Sequence, residues 1–270
     1  MMTNILEEII AHKRKEVAAQ QEQLPVEALE QEEGFEKATR SLCSHLQLPH
    51  ASGIIAEFKR KSPSKGFINQ KAVAREVAEM YAYANATAIS VLTDQQFFGG
   101  STDDFKQARA VQECPMLRKE FIIEEYQIVE AKAIGADAIL LIAACLPPDK
   151  LKALARFAKS LHLEVLLEVH SEQELETSLN EYVDLVGVNN RDLTTFKVDL
   201  QHSLKMVNRI PKEIVKISES GIKTPEDVVL LRQAGYKGFL MGEIFMKAPA
   251  PGQACKAFIN QLQITHKAEK

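Results

Sequence analysis

The sequence predicts an α/β fold, a (β/α)8 barrel, from three observations. Short apolar runs recur at 54–59, 88–92, 115–119, 138–142, 164–169, 184–189, 214–219 and 238–242. Each has the length of a strand and is too short for a buried helix. Helical stretches lie between them, at 70–84, 124–134, 149–161, 171–180, 199–208 and 225–234. The runs also close on polar or glycine-containing segments. Strands alternating with helices build a parallel sheet, and such units over roughly 210 residues fit a closed barrel near the lower size limit of that fold. A doubly wound open sheet is the alternative. It usually carries a GxGxxG or Walker-type loop after its first strand, and this sequence has neither.

Each element has a local reason. Residues 4–48 read as helices, because Ile5, Leu6, Ile9 and Ile10 recur at helical spacing ahead of the charged Lys13-Arg14-Lys15-Glu16. Pro25 breaks that helix and can open the next. Ser171 followed by Glu174 predicts a capping box, and Thr224-Pro225-Glu226-Asp227 supplies a cap, a proline and two acids. Gly135 and Gly235 stop helices just before strands. The chain is read as a single barrel domain over 1–270, with 1–50 as an N-terminal helical extension that caps or flanks it.

In a barrel of this type the chemistry sits at the C-terminal ends of the strands, and polar residues interrupt the apolar runs there. The first strand carries Glu57, Lys59 and Lys61 at alternate positions, so they are expected on one face before Ser62-Pro63-Ser64 opens a loop. Lys119 shares parity with Leu117 and Phe121, which points it into the lumen and turns Arg118 and Glu120 outward. Glu168 lies inside an apolar run, and Asn189 and Arg191 share a face. The seventh and eighth strands end in Glu219-Ser220-Gly221 and Gly242-Glu243. Glycines after these two strands let backbone N–H groups approach an anion, which predicts a phosphate cradle. Charged groups aimed together from buried strands are costly unless they pair or bind a charged ligand. Each alone has a plainer reading as an edge charge, an ion pair or a turn glycine. A shared end for all of them favours a site for an anionic substrate.

Composition narrows the class further. Hydrophobic content of 46% and charged content of 26% describe an ordinary globular chain. A net charge of -4 argues against a general nucleic-acid binder, and no apolar stretch reaches membrane-spanning length. Cys43, Cys114, Cys145 and Cys255 are scattered without a CxxC pair and read as reduced thiols of a cytoplasmic protein. The seven histidines form no metal-ligand frame, so no metal is expected.

These residues resemble the indole-3-glycerol-phosphate synthase family over nearly the whole chain. The stretch Ile55-Ala56-Glu57-Phe58-Lys59-Arg60-Lys61-Ser62-Pro63-Ser64 is close to that family's signature. Leu92-Thr93-Asp94, Phe98-Gly99-Gly100-Ser101, Leu117-Arg118-Lys119-Glu120-Phe121, Leu167-Glu168-Val169-His170, Gly187-Val188-Asn189-Asn190-Arg191-Asp192-Leu193, Ser218-Glu219-Ser220-Gly221-Ile222 and Met241-Gly242-Glu243 follow in order. Departures are Ser218, where alanine is common, and Phe58, where tyrosine also occurs.

The resemblance implies ring closure, decarboxylation and dehydration of 1-(2-carboxyphenylamino)-1-deoxyribulose 5-phosphate, with no cofactor. It implies Lys119 as general acid and Glu168 as general base. Lys59 lies near the substrate carboxylate and shares the dehydration-acid role. Glu57 and Asn189 hold sugar hydroxyls, and Glu219 and Ser220 complete the ring around the substrate. Phe121 packs on the anthranilate, while Ser62, Arg191, Gly221, Gly242 and the backbone of Glu243 contact phosphate. The expected partner is a phosphorylated small molecule, with no nucleic acid, membrane or fused isomerase domain. Two other readings compete: another phosphate-binding barrel enzyme, such as a sugar-phosphate isomerase or Schiff-base aldolase, and a non-catalytic metabolite-binding barrel. A nucleophilic lysine needs a depressed pKa, which prospective carboxylates around Lys119 oppose. Binding alone does not need Lys119 opposite Glu168.

Overall fold

The computed structural model describes residues 5–192 and 195–268, with side chains as far as 265. Met1–Asn4 and Leu193, which enter the sequence reading, lie outside the described residues. The N-terminal helices are α1 (Ile5–Gln23), α2 (Val26–Leu29) and α3 (Leu42–Gln47). The strands are β1 (Ile54–Phe58), β2 (Lys61–Ser62), β3 (Gly66–Phe67), β4 (Ala88–Leu92), β5 (Met116–Lys119), β6 (Ala138–Ile142), β7 (Glu164–Val169), β8 (Leu185–Asn189), β9 (Val215–Glu219) and β10 (Gly238–Met241). Between and after them run α4 (Ala74–Tyr83), α5 (Thr102–Arg109), α6 (Glu125–Ala133), α7 (Pro148–Ser160), α8 (Glu172–Ser178), α9 (Gln201–Met206), α10 (Pro225–Ala234), α11 (Glu243–Met246) and α12 (Pro251–Ala268).

Strands β1 and β4 to β10 close into a parallel barrel, and β1 pairs with both β4 and β10. The predicted strands agree with these to within one residue at either end. Side chains alternate along each strand, which creates two cores. Ile55, Leu117, Leu140, Leu166, Leu185, Ile217 and Leu240 fill the lumen, whereas Ile54, Ala56, Ile89, Met116, Ile139, Val186 and Phe239 face the helices. Leu42 and Leu46 of α3 join the lumen cluster. That helix closes the N-terminal end of the barrel, so the other end alone is open to substrate.

Residues 30–41, expected within a helical segment, instead form turns and irregular chain between α2 and α3. Four further expectations need correction. A small hairpin of β2 and β3 follows the first strand where a plain loop was expected. Helix α5, missing from the helical stretches named above, fills the gap between β4 and β5 behind a Ser101 cap. Ser171 does accept from Glu174 N, yet the Glu174 carboxylate accepts from His170 N at 2.6 Å, so the reciprocal box does not form. The box at Thr224 and Asp227 does form.

The fourth correction concerns the charges, which occupy both strand ends. Asp137 takes N–H bonds from Arg40 and Met116 and pairs with Arg109 at 2.7 Å. Glu164 accepts from Ser41 Oγ and Cys43 N, which fixes the start of α3. Lys216 donates to the Pro211 and Ile214 carbonyls. Among the described residues no helix is long and apolar enough to cross a membrane.

Candidate active site

At the open end, every site residue named from the sequence lines one cavity of about 220 Å³. Its floor is apolar, with Leu92, Leu140, Ile142 and Leu240, and Ile5, Leu6 and Ile9 of α1 close one side. Phe121 and Phe98 stand on its wall with ring centroids 5.8 Å apart.

Lys119 ends β5 and points inward, as its parity with Leu117 requires. Its ammonium lies 2.7 Å from Glu168 Oε2 and 2.6 Å from Glu219 Oε2. Burial would lower the lysine's pKa, but Glu168, Glu219 and Glu57 outweigh it and raise it far above the ordinary value. It is therefore a lysine kept charged out of water. The two carboxylates divide in the opposite sense. Glu168 resists burial because Lys119 first, then His170 and a 3.0 Å hydrogen bond from Asn189 Nδ2, hold it below the usual range. Glu219 is pushed up by burial and by the charge of Glu168, and its Oε1 has no hydrogen-bond partner among the described residues.

The same environment explains two glycines. A Cβ at Gly187 would run into Glu219 Oε1, and one at Gly242 would come within 2.7 Å of Glu57 Oε1. Small residues on β8 and after β10 thus make room for the acids. Glu57 pairs with Lys59 at 2.5 Å.

Lys61 does not join that pair. The strand ends at Phe58, the chain turns, and alternation stops there. Lys61 Nζ instead donates to the Gln96 carbonyl at 2.8 Å. Arg60 forks onto Asp104 at 2.5 and 2.7 Å, which ties this loop to α5. The outward turn of Arg118 agrees with its parity: it bonds the Gln127 carbonyl and Glu130 on α6.

On the rim, Ser220 and Gly221 both have positive φ, 66° and 84°. A Cβ at Gly221 would also strike Val198. Ser62 Oγ is buried without a hydrogen-bond partner among the described residues, and the Arg191 guanidinium lies 3.7 Å from Glu243. Consecutive positive-φ residues, an arginine and a free hydroxyl are suited to an anion.

Asn190, quoted above only as a motif member, braces this rim. Its Nδ2 reaches Ser218 Oγ and the carbonyls of Glu219 and Ser220, and its Oδ1 accepts from Ser203. Ser218, the family departure, belongs to this outer network and lies 2.8 Å from Ser203 Oγ, away from the cavity.

Lys13 is the residue the sequence reading missed most clearly. It belongs to a charged run but is 1% exposed, with Asp94, Glu120 and Glu16 each 3.0 Å away. Burial opposes its charge, yet Glu120, Asp94 and Glu16 raise its pKa well above normal. Glu120, buried beside it, is held low by Lys13 and Arg118 against its own desolvation. This cluster fastens α1 across the barrel mouth. Helical period alone could have flagged Lys13, because it sits four residues beyond the buried Ile9 and four before the buried Val17.

The arrangement therefore offers one buried cation between two unlike carboxylates, a second Glu–Lys pair, an aromatic wall and an anion-suited rim. The chain is similar to known proteins. A family model described as indole-3-glycerol phosphate synthase matches residues 6–258. A protein of that name from Bacteroides thetaiotaomicron is 48% identical over 262 residues, covering 97% of this chain and 100% of the relative. Another from Variovorax paradoxus is 44% identical, covering 95% and 99%. A solved structure titled "Native KDPGal structure" shares the fold with a TM-score of 0.56 at 14% identity, over 82% of this chain and 96% of that one.

Proposed function

The chain belongs to the indole-3-glycerol phosphate synthase family, and from that premise we propose how its residues carry out the family's reaction. The enzyme is a carboxy-lyase of tryptophan biosynthesis that converts 1-(2-carboxyphenylamino)-1-deoxyribulose 5-phosphate to indole-3-glycerol phosphate. The observation that carries the reading is Lys119 held charged between Glu168 and Glu219 beside an aromatic wall.

The ring carbon bearing the carboxylate attacks the ketone, and the developing alkoxide takes a proton from Lys119. Carbon dioxide then leaves and restores the aromatic ring. Departure of the hydroxyl, with Lys59 sharing the role of acid, leaves a cation conjugated with the ring nitrogen. That charge acidifies the neighbouring C–H, so the weakly basic carboxylate of Glu168 suffices to remove the proton. The steps move protons, water and carbon dioxide with no net oxidation, so the chemistry calls for no redox group.

Glu57 and Asn189 hold sugar hydroxyls, Glu219 and Ser220 complete the ring, and Phe121 stacks on the anthranilate. Ser62, Arg191, Gly221, Gly242 and the backbone of Glu243 take the phosphate, whose binding energy positions the reacting atoms. The same reading treats 1–270 as one barrel domain with 1–50 as a helical extension, working in the cytoplasm. The described free cysteines are in keeping with that compartment.

The test is direct. Incubation with the carboxyphenylamino-deoxyribulose phosphate should produce indole fluorescence and one carbon dioxide per turnover. A protein that binds this compound without consuming it would contradict the reading.

A further inference from the structure

Glu168 has a neighbour that the reaction above leaves unused. Its Oε2 holds Lys119 and its Oε1 accepts from Asn189. On the same side as Oε1 stands His170, with Nε2 3.4 Å away, while Nδ1 lies 3.6 Å from Glu174 Oε2. The imidazole is 10% exposed, and neither ring nitrogen has a hydrogen-bond partner among the described residues. Both are ion-pair contacts that do not meet hydrogen-bond geometry.

The backbone fixes this placement. Glu168 and His170 are two residues apart at the end of β7 and so share a face. Glu174, which the sequence assigned to a helix cap, turns instead onto the His170 N–H. A buried ring between two carboxylates satisfies both when it carries the proton.

From this geometry we infer that His170 is a positioning residue that sets the basicity of Glu168: charged, it weakens the base, and neutral, it releases it. The inference rests on Glu168 as the base of dehydration and adds the group that tunes it.

The surroundings favour the charged form. Burial lowers the His170 pKa, but Glu174 on α8, Glu168 on β7 and Glu219 on β9 together raise it above the ordinary value. His202 on α9 works against them. Its own pKa is held down by burial and then by His170. Cys145 faces Glu168 and Glu174, and burial keeps its thiol protonated throughout.

The test is single-turnover kinetics across pH, following carbon dioxide and indole fluorescence separately, in wild type and His170→Gln. Glutamine keeps a neutral amide donor near Oε1. In wild type the indole-forming phase should quicken by about threefold to tenfold as pH rises through the His170 titration. Carbon dioxide release should not share that inflection, and His170→Gln should lose it.

Glu219 is also pushed up, to about 7, so an inflection surviving in His170→Gln belongs to Glu219 and overturns the inference. A flat wild-type profile overturns it equally. NMR titration of the His170 ring supplies a readout that needs no turnover. Its pKa should fall by about one unit or more in Glu168→Gln, and an unchanged value contradicts the pairing. If Glu168→Gln forms indole at the wild-type rate, the base assignment itself has failed. That is distinct from failure of the present inference, in which Glu168→Gln stalls while His170→Gln keeps the inflection.

Discussion

At the N-terminal end of the barrel, Asp137 takes two backbone N–H bonds and an arginine. At the C-terminal end, Glu219 pairs with Lys119, and its second oxygen has no partner among the described residues. Both carboxylates are 2% exposed. The first is fully satisfied and anchors structure: it ties the arm at Arg40 to β5 and to α5. The second is left incomplete, which is costly for folding and useful only if a ligand or a proton supplies what is missing. Burial does not tell the two apart. The number of bonds already made does.

The comparison can be broken most directly at Lys119. Lys119→Ala should remain folded, because Glu219 is already pushed toward its protonated form and can take a proton in place of its cation. Turnover should fall on the order of 10²–10⁴-fold, the usual loss for a general acid. Near-normal kcat in a folded variant would remove Lys119 from the chemistry. The opposite end should behave in reverse. Asp137→Ala breaks a buried pair and frees two backbone donors, so it should cost about 3–5 kcal/mol in denaturant unfolding. Turnover per folded molecule should stay unchanged. A large kcat loss with little destabilisation would mean the two ends are not separable in this way.

A smaller effect sharpens the account of the rim. Gly221 has a φ of 84° and no room for a Cβ beside Val198. Gly221→Ala should displace the turn and raise KM for substrate, and weaken competition by inorganic phosphate, more than it lowers kcat. Phosphate competing no better than chloride at equal ionic strength would show that the cradle lies elsewhere.

The smallest effect concerns the clasp between α1 and the barrel. Glu120 is depressed, so its contribution is present above the unfolded carboxylate pKa of about 4.3 and is lost as pH falls through the folded value. Lys13 is raised, so its contribution is present below about 10.4 and is lost as pH rises through the folded value. Protection of the α1 amides, taken relative to their intrinsic exchange rate at each pH, should therefore be greatest between these limits and fall beyond them. Protection that does not vary with pH would show that the cluster does not hold the helix.

Strands were legible because a buried parallel sheet leaves continuous apolar runs, and parity alone turned Lys119 inward and Arg118 outward. The family signature then supplied roles that parity does not. What escaped was set by tertiary partners. Lys61 looked aligned with Glu57 and Lys59 until the chain turned after Phe58. Lys13 looked solvated because its acids come from Asp94 and Glu120, far along the sequence. Glu164 and Lys216 broke the apparent bias of charge toward one end because their partners are a hydroxyl and backbone groups, which leave no charge pattern to read. Glu174 obeyed the spacing of a capping box, yet the His170 N–H claimed its carboxylate.

The central claim is that Lys119 and Glu168, 2.7 Å apart, serve different steps. A single-turnover experiment on Glu168→Gln that follows carbon dioxide release and indole fluorescence separately tests it most directly. Glutamine keeps the size and hydrogen bonding of the side chain but removes the base. The account predicts carbon dioxide release at a reduced rate followed by a stall before indole forms, whereas Lys119→Ala should release little of either. Loss of both signals in strict proportion in Glu168→Gln would contradict it, and would leave Glu168 as an electrostatic partner that keeps Lys119 charged and in place.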